Sequence, residues 1–244
     1  MHLHLLQLGR IPYTEGLRIQ DEVVAARKAS LIGDTLLLME HPPVLTLGRN
    51  ATRANIVATD DLLARKGVEI HETNRGGEVT YHGPGQLVGY PIFDLRGDPA
   101  GLPGKRGAFL GPVDFVRLME EALIHTCKDF GVPAQRICKR TGVWTYAGGS
   151  IPEKKIAAIG IHVSNAITSH GFALNVTTDL RDFGWIIPCG IADRGVTSLE
   201  LESPRTPPPT LQQAADRAAA NFGRIFNRQV LAADSLEAML SLIA

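Results

Sequence analysis

Short apolar runs that read as strands alternate along this chain with stretches of helical period. That alternation admits few folds other than a sheet with helices packed on it. Residues 3–8 and 35–39 predict strands. Between them Tyr13 to Ile32 predicts a helix entered from Pro12, with Leu17, Val24 and Leu31 recurring on one face. His41-Pro42-Pro43 breaks the pattern before a short strand at Val44 to Leu47. Thr59 or Asp60 caps a helix through Lys66, and Val68 to Ile70 is extended. Gly76 to Gly85 reads as a glycine-rich connection into a strand from Leu87 to Leu95, and Gly97 to Pro112 as an inserted surface loop. A helix is predicted over Val113 to Phe130, with Val116, Met119, Leu123 and Cys127 on its buried face and Gly131 as its stop. Ile156 to Val163 and Phe172 to Val176 predict paired strands, and Thr210 to Phe226 an alanine-rich helix. The expected fold class is α+β, a mixed β-sheet flanked by helices, as one domain over residues 1–244.

Charge narrows the partners. Twenty-five basic residues balance twenty-five acidic ones, so no global field recruits nucleic acid or an anionic membrane. No run approaches the roughly 18 apolar residues of a membrane span, and the first residues lack the basic start of a signal peptide. Three cysteines at unpatterned spacings argue against a disulfide framework, and the cytoplasm is the expected compartment.

Three features could carry chemistry. Cys189 sits in Trp185-Ile-Ile-Pro-Cys-Gly190, where the following glycine leaves a thiol approachable; the alternative is a buried, inert cysteine, the commoner fate of this residue. Cys127 falls on the apolar face of a helix, and Cys138 lies among Arg136, Lys139 and Arg140 with nothing nearby that resembles a substrate pocket. Lys155 opens an apolar strand, either as an exposed end or as a cation aimed into a cleft, where it would favour a neighbouring thiolate. Arg75 to Gln86 packs four glycines and a proline around Thr80, Tyr81 and His82, suited to close backbone approach by a ligand or simply to a hairpin with a satisfied histidine. It is not a dinucleotide fingerprint, no phosphate loop is present, and the histidines lack zinc-ligand spacing.

Five motifs in order carry a resemblance: Arg75-Gly-Gly-Glu-Val-Thr-Tyr-His-Gly-Pro-Gly-Gln86, Arg140-Thr-Gly-Val-Trp144, Lys155-Ile-Ala-Ala-Ile-Gly160, His170-Gly-Phe-Ala-Leu-Asn175 and Pro188-Cys-Gly190. Together the chain resembles the lipoyl(octanoyl) transferase family over about residues 40–200. The resemblance implies a fold like the catalytic domains of biotin and lipoate protein ligases, with Cys189 as the acyl-thioester nucleophile and Lys155 as its partner. It implies that Arg75, Gly76, Gly77, Glu78, Val79, Thr80, Tyr81 and His82 line the substrate site, with Ala158, Ile159, Gly160, Gly171, Phe172 and Ala173 as further walls. The implied donor is octanoyl-acyl carrier protein. The implied acceptors are the lipoyl domains of 2-oxoacid dehydrogenase E2 subunits and the glycine cleavage H protein. No cofactor and no metal are implied, since the acyl group arrives activated.

Three rival readings remain at this level. An ATP-dependent lipoate ligase would keep the lysine but need no cysteine. A non-catalytic acyl-binding or carrier-docking module would keep the glycine loop and pocket but have no use for both Cys189 and Lys155. A cysteine hydrolase would release free octanoate. Arg136, Lys139 and Arg140, then Lys105 and Arg106, are candidates for docking an acidic carrier, or else ordinary solvated surface.

Overall fold

The computed structural model describes residues 1–96, 109–146, 148, 152–187 and 195–241. Cys189, most of the insert at 97–111 with Lys105 and Arg106, and most of the Ala147–Pro152 stretch lie outside the described residues.

The chain opens with β1 (His2–Arg10), then α1 (Tyr13–Lys28) and β2 (Asp34–Glu40). The two strands pair in parallel, so α1 is the crossover that their shared direction requires. The helix ends four residues short of the expected Ile32, at a turn where Ser30 takes a positive φ of 58°. Its buried face also differs from the expected one: Tyr13, Gly16, Ile19, Gln20, Val23 and Ala26 are inside, whereas Leu31 is 54% exposed. A seven-residue step drifts around a straight helix, and the i, i+3, i+4 rule would have found the right stripe.

After β3 (Val44–Leu47), α2 (Asp60–Arg65) begins at Thr59, whose hydroxyl accepts the Leu62 amide hydrogen, and β4 (Glu69–Glu72) follows. The supposed glycine connection contains β5 (Val79–His82), which pairs antiparallel with β3, so the order in this small sheet is β4-β3-β5. Strand β6 (Gln86–Ile92) returns to the large sheet beside β2. Pro112 is the first residue of α3 (Pro112–Asp129), a position that needs no amide hydrogen, and Gly131 ends the turn at φ 76°.

Two short strands escaped the sequence reading: β7 (Ala134–Ile137) and β8 (Arg140–Thr145), a polar hairpin at the sheet's edge. Strand β9 (Lys155–Ser164) and β10 (Ile167–Asn175) pair antiparallel as expected, with β10 starting five residues earlier than Phe172. A short α4 (Leu199–Glu202) precedes α5 (Leu211–Ile225), which opens with a capping box between Thr210 and Gln213. Strand β11 (Gln229–Ala232), also unforeseen, and α6 (Leu236–Ser241) close the chain.

The large sheet runs β11-β1-β2-β6-β10-β9-β8-β7, parallel only around β1 and otherwise antiparallel, which is the expected mixed sheet with helices. One face packs against α3 and α5 through Phe93, Phe115, Leu123, Phe172, Phe222 and Phe226. Ala214, Ala215, Ala218 and Ala219 are small enough to let α5 lie close on that layer. The other face carries α1 and, beyond it, the small sheet. The two sheets touch where the Gly76 amide donates to the Ile161 carbonyl at 2.9 Å. A Cβ on Gly160 would stand 2.5 Å from the Gly76 carbonyl oxygen, so this joint depends on the missing side chain.

Candidate functional site

Between the two sheets lies a cavity of about 330 Å³. Strands β6, β9 and β10 make its floor, the Arg75–His82 segment its roof, and α1 closes it at Tyr13. The β9 stretch from Lys155 to Gly160 runs about 17 Å at the usual strand rise.

The structure brings most of the sequence-picked residues together. Lys155, Arg75, Gly76, Gly77, Glu78, Val79, Thr80, His82, Ala158, Ile159, Gly160, Gly171, Phe172 and Ala173 all border the cavity. Tyr81 does not, because strand alternation turns it to the opposite face of β5. There its hydroxyl donates to Asp182 at 2.6 Å, and its ring meets Phe183 and Trp185 edge-on. Tyr81 thereby secures the Leu180–Trp185 turn that leads toward residue 188.

At one end stands Lys155. It begins β9, pairs with Trp144 of β8, and places its ammonium 4.7 Å from the centre of the Trp144 ring. Burial, reinforced by the nearby Arg140 charge, pulls the Lys155 pKa down to about 8. The chain that resumes after Cys189 is tied to this lysine: the Lys155 amide donates to the Gly195 carbonyl at 3.1 Å and the Thr197 amide to the Lys155 carbonyl at 3.0 Å. On the other side of that segment, the Ile187 amide donates to the Asn55 carbonyl at 2.8 Å.

Toward the other end the cavity is polar. Arg75 is 8% exposed, and its guanidinium donates to the Thr46 hydroxyl and carbonyl and to the Gly76 carbonyl, all neutral acceptors. Burial lowers its pKa. Tyr13, Tyr90 and His170 complete this wall, and His41 stands behind it with its ring 5.2 Å from that of Tyr13. Burial pushes the Tyr13 phenol up to about 12. It holds the imidazoles of His82 and His170 down to about 3 and about 4.

These two histidines make stability pH-dependent. Both have folded pKa values below the ordinary 6.5, so as pH falls the unfolded chain takes up protons that the folded chain refuses. Their contribution is whole above about pH 6.5 and is lost progressively below it, at about 1.4 kcal/mol per pH unit for each. Urea midpoints should therefore fall between neutral pH and about pH 5, and His170→Asn should flatten the slope.

Several cavity residues were not picked from the sequence: Tyr13, Gln86, Tyr90, Trp144, His170 and Asn175. Gln86, Trp144, His170 and Asn175 lie at the ends of recognised motifs, and period-two alternation from Gly171 and Ala173 would have pointed to the last of them. Lys139 and Arg140 also border the cavity, contrary to the expectation that no pocket lies near Cys138. Arg136 is spent on Glu120 at 3.1 Å and Glu121 at 2.6 Å. Cys127 is buried, with its thiol pushed up to about 12, as befits a core residue. Among the described residues no cluster of His, Cys, Asp or Glu could hold a metal, and no helix is long and apolar enough to cross a membrane.

Residues 12–223 match the model of the lipoyl protein ligase A/B catalytic domain. The chain is 64% identical to an octanoyltransferase of Acidobacterium capsulatum over 95% of this chain and 93% of that one. It is 50% identical to an octanoyltransferase of Koribacter versatilis over 98% and 90%. Its fold matches a bipartite lipoate protein ligase from Thermoplasma acidophilum, with a TM-score of 0.72 at 18% identity over 100% of this chain and 91% of that one. A lipoate-protein ligase A bound with ATP also matches, at 0.72 and 15% over 100% and 93%.

Proposed function

The chain belongs to the octanoyltransferases of the lipoyl protein ligase A/B catalytic-domain family, and from that premise we propose that it works through a thioester on Cys189. The donor is octanoyl-acyl carrier protein. The acceptors are lysines on lipoyl domains of 2-oxoacid dehydrogenase E2 subunits and on the glycine cleavage H protein, reached in the cytoplasm by one catalytic domain.

The observation that carries this reading is the environment of Lys155. A half-buried lysine with its pKa near 8 faces the cavity, and the Gly195–Thr197 segment, six residues beyond Cys189, is hydrogen-bonded to its backbone. In the first step the Cys189 thiolate attacks the donor carbonyl. A carbon–sulfur bond forms to the enzyme, the donor's carbon–sulfur bond breaks, and the carrier thiolate leaves and takes a proton. As an ammonium, Lys155 favours the attacking thiolate. In the second step the acceptor amine attacks the octanoyl-enzyme. The carbon–nitrogen bond forms, the Cys189 thiolate departs, and neutral Lys155 takes the proton that the amine sheds. A pKa near 8 gives one lysine both forms in the working range. The residues from Arg75 to His82 line the substrate site, with Ala158, Ile159, Gly160, Gly171, Phe172 and Ala173 as walls for the acyl chain, and Tyr81 supports the roof from behind.

The direct test is octanoyl transfer from octanoyl-acyl carrier protein to a lipoyl domain without ATP. Transfer under these conditions supports the reading. Transfer that needs free octanoate and ATP would make the chain a ligase, and octanoate release without acceptor would make it a hydrolase.

A further inference from the structure

A chain of side chains links the neighbourhood of Lys155 to His82, and donor–acceptor bookkeeping fixes every member of it. The Thr197 carbonyl can only accept, so the amide nitrogen of Asn175 points to it, at 2.9 Å. Asn175 therefore turns its oxygen toward Gln86, whose Nε2 donates to it at 3.0 Å and also to the Tyr81 carbonyl at 3.2 Å. Gln86 must then present Oε1 to His82, at 2.8 Å from Nδ1. An oxygen acceptor at Nδ1 requires the proton to sit there. His82 is thus held as the Nδ1–H tautomer, with the Nε2 lone pair left over, and Nε2 has no hydrogen-bond partner among the described residues.

Location gives that lone pair a use. His82 is 7% exposed and its ring borders the cavity. Leu174 pairs with Ala157, so the next residue, Asn175, lies beside the Lys155 end of β9. Of the groups that meet in the reaction, the acceptor amine is the one rich in N–H bonds, and it must be turned so that its own lone pair faces the acyl carbon.

We propose that the Thr197–Asn175–Gln86 relay locks His82 so that Nε2 accepts a hydrogen bond from the incoming lysine amine and aims its lone pair at the acyl group. His82 orients the amine and takes no proton from it; proton transfer stays with Lys155. The surroundings agree, since Tyr13 from α1 and His41 ahead of β3 stand against the ring, Arg75 ahead of β5 and His170 from β10 act on it electrostatically, and none is a carboxylate that would favour an imidazolium. This inference rests on the thioester reading above for the step it serves, while the tautomer itself does not.

Two readouts test it. Nitrogen-15 spectra of histidine-labelled protein should show His82 neutral and protonated at Nδ1 down to about pH 5, and Gln86→Leu should lose that signature. In single turnovers, Gln86→Leu should slow transfer to a lipoyl domain about tenfold more than it slows loading from octanoyl-acyl carrier protein, and His82→Ala about 100-fold more. An Nε2–H tautomer in the unaltered protein, or equal losses in both steps, would overturn the proposal. If no acyl-enzyme forms, the Cys189 reading falls. His82 is then judged by the tautomer signal and by whether kcat drops while KM for the donor holds.

Discussion

Lys155→Ala should lower kcat/KM for octanoyl transfer by about 10²- to 10⁴-fold, and Lys155→Arg should divide the reaction in two. On the thioester reading, arginine keeps the positive charge that favours the thiolate but stays protonated throughout the working range. It should therefore retain most of the acyl loading and lose the amine-transfer step. The unaltered enzyme gives the matching pH signature: with Lys155 at about 8, the transfer rate should climb as pH rises through that value and then level off. In Lys155→Arg that limb should vanish. Rapid-quench measurement of each half-reaction across pH checks both statements. If alanine and arginine lose loading and transfer alike, Lys155 is holding structure rather than moving protons.

Gly171→Ala is expected to be the most damaging single methyl addition around the cavity. A Cβ there would stand 2.1 Å from the Gly89 carbonyl oxygen and 2.5 Å from Pro91 Cδ. Neither can retreat, because Gly89 is paired on both sides, with Leu38 and with Phe172, in the middle of the sheet. The cost should be about 3 kcal/mol, the upper end for overpacking. For a chain of this size that corresponds to a fall in Tm of roughly 6–12 °C. Gly184→Ala is the control, since nothing lies within 4 Å of its added methyl, and it should change stability by less than about 0.5 kcal/mol. Thermal melts of the two variants decide the matter, and a Gly171→Ala protein as stable as the control would contradict the packing account.

The sequence was most readable where local chemistry and tertiary structure agree. Helix α3 carries its proline at the start, its glycine at the end and a stripe of buried residues between, so its bounds were found almost to the residue. The glycine segment from Arg75 and the strand opening at Lys155 were legible as motifs, and the fold seats both on one cavity. Tyr81 shows where motif reading ends. It shares a motif with Thr80 and His82, but a strand sends neighbours to opposite faces, and Tyr81 packs beneath the cavity instead of lining it. The polar hairpin β7–β8 was missed because its short strands gain their order from β9 and from Glu120, which accepts the Gly142 amide at 3.0 Å, rather than from their own apolar pattern. Tyr13 and Tyr90 were missed for a related reason. They come from α1 and β6, where no local motif marks them, and only packing makes them a wall of the site.

The central claim is the thioester, and intact mass measurement of the protein after brief incubation with octanoyl-acyl carrier protein tests it most directly. The account predicts one octanoyl adduct that hydroxylamine or excess thiol removes, that a lipoyl domain discharges into its own octanoyl amide, and that Cys189→Ser abolishes. A folded, active protein that transfers octanoyl without such an adduct, or whose adduct survives Cys189→Ser, would contradict it.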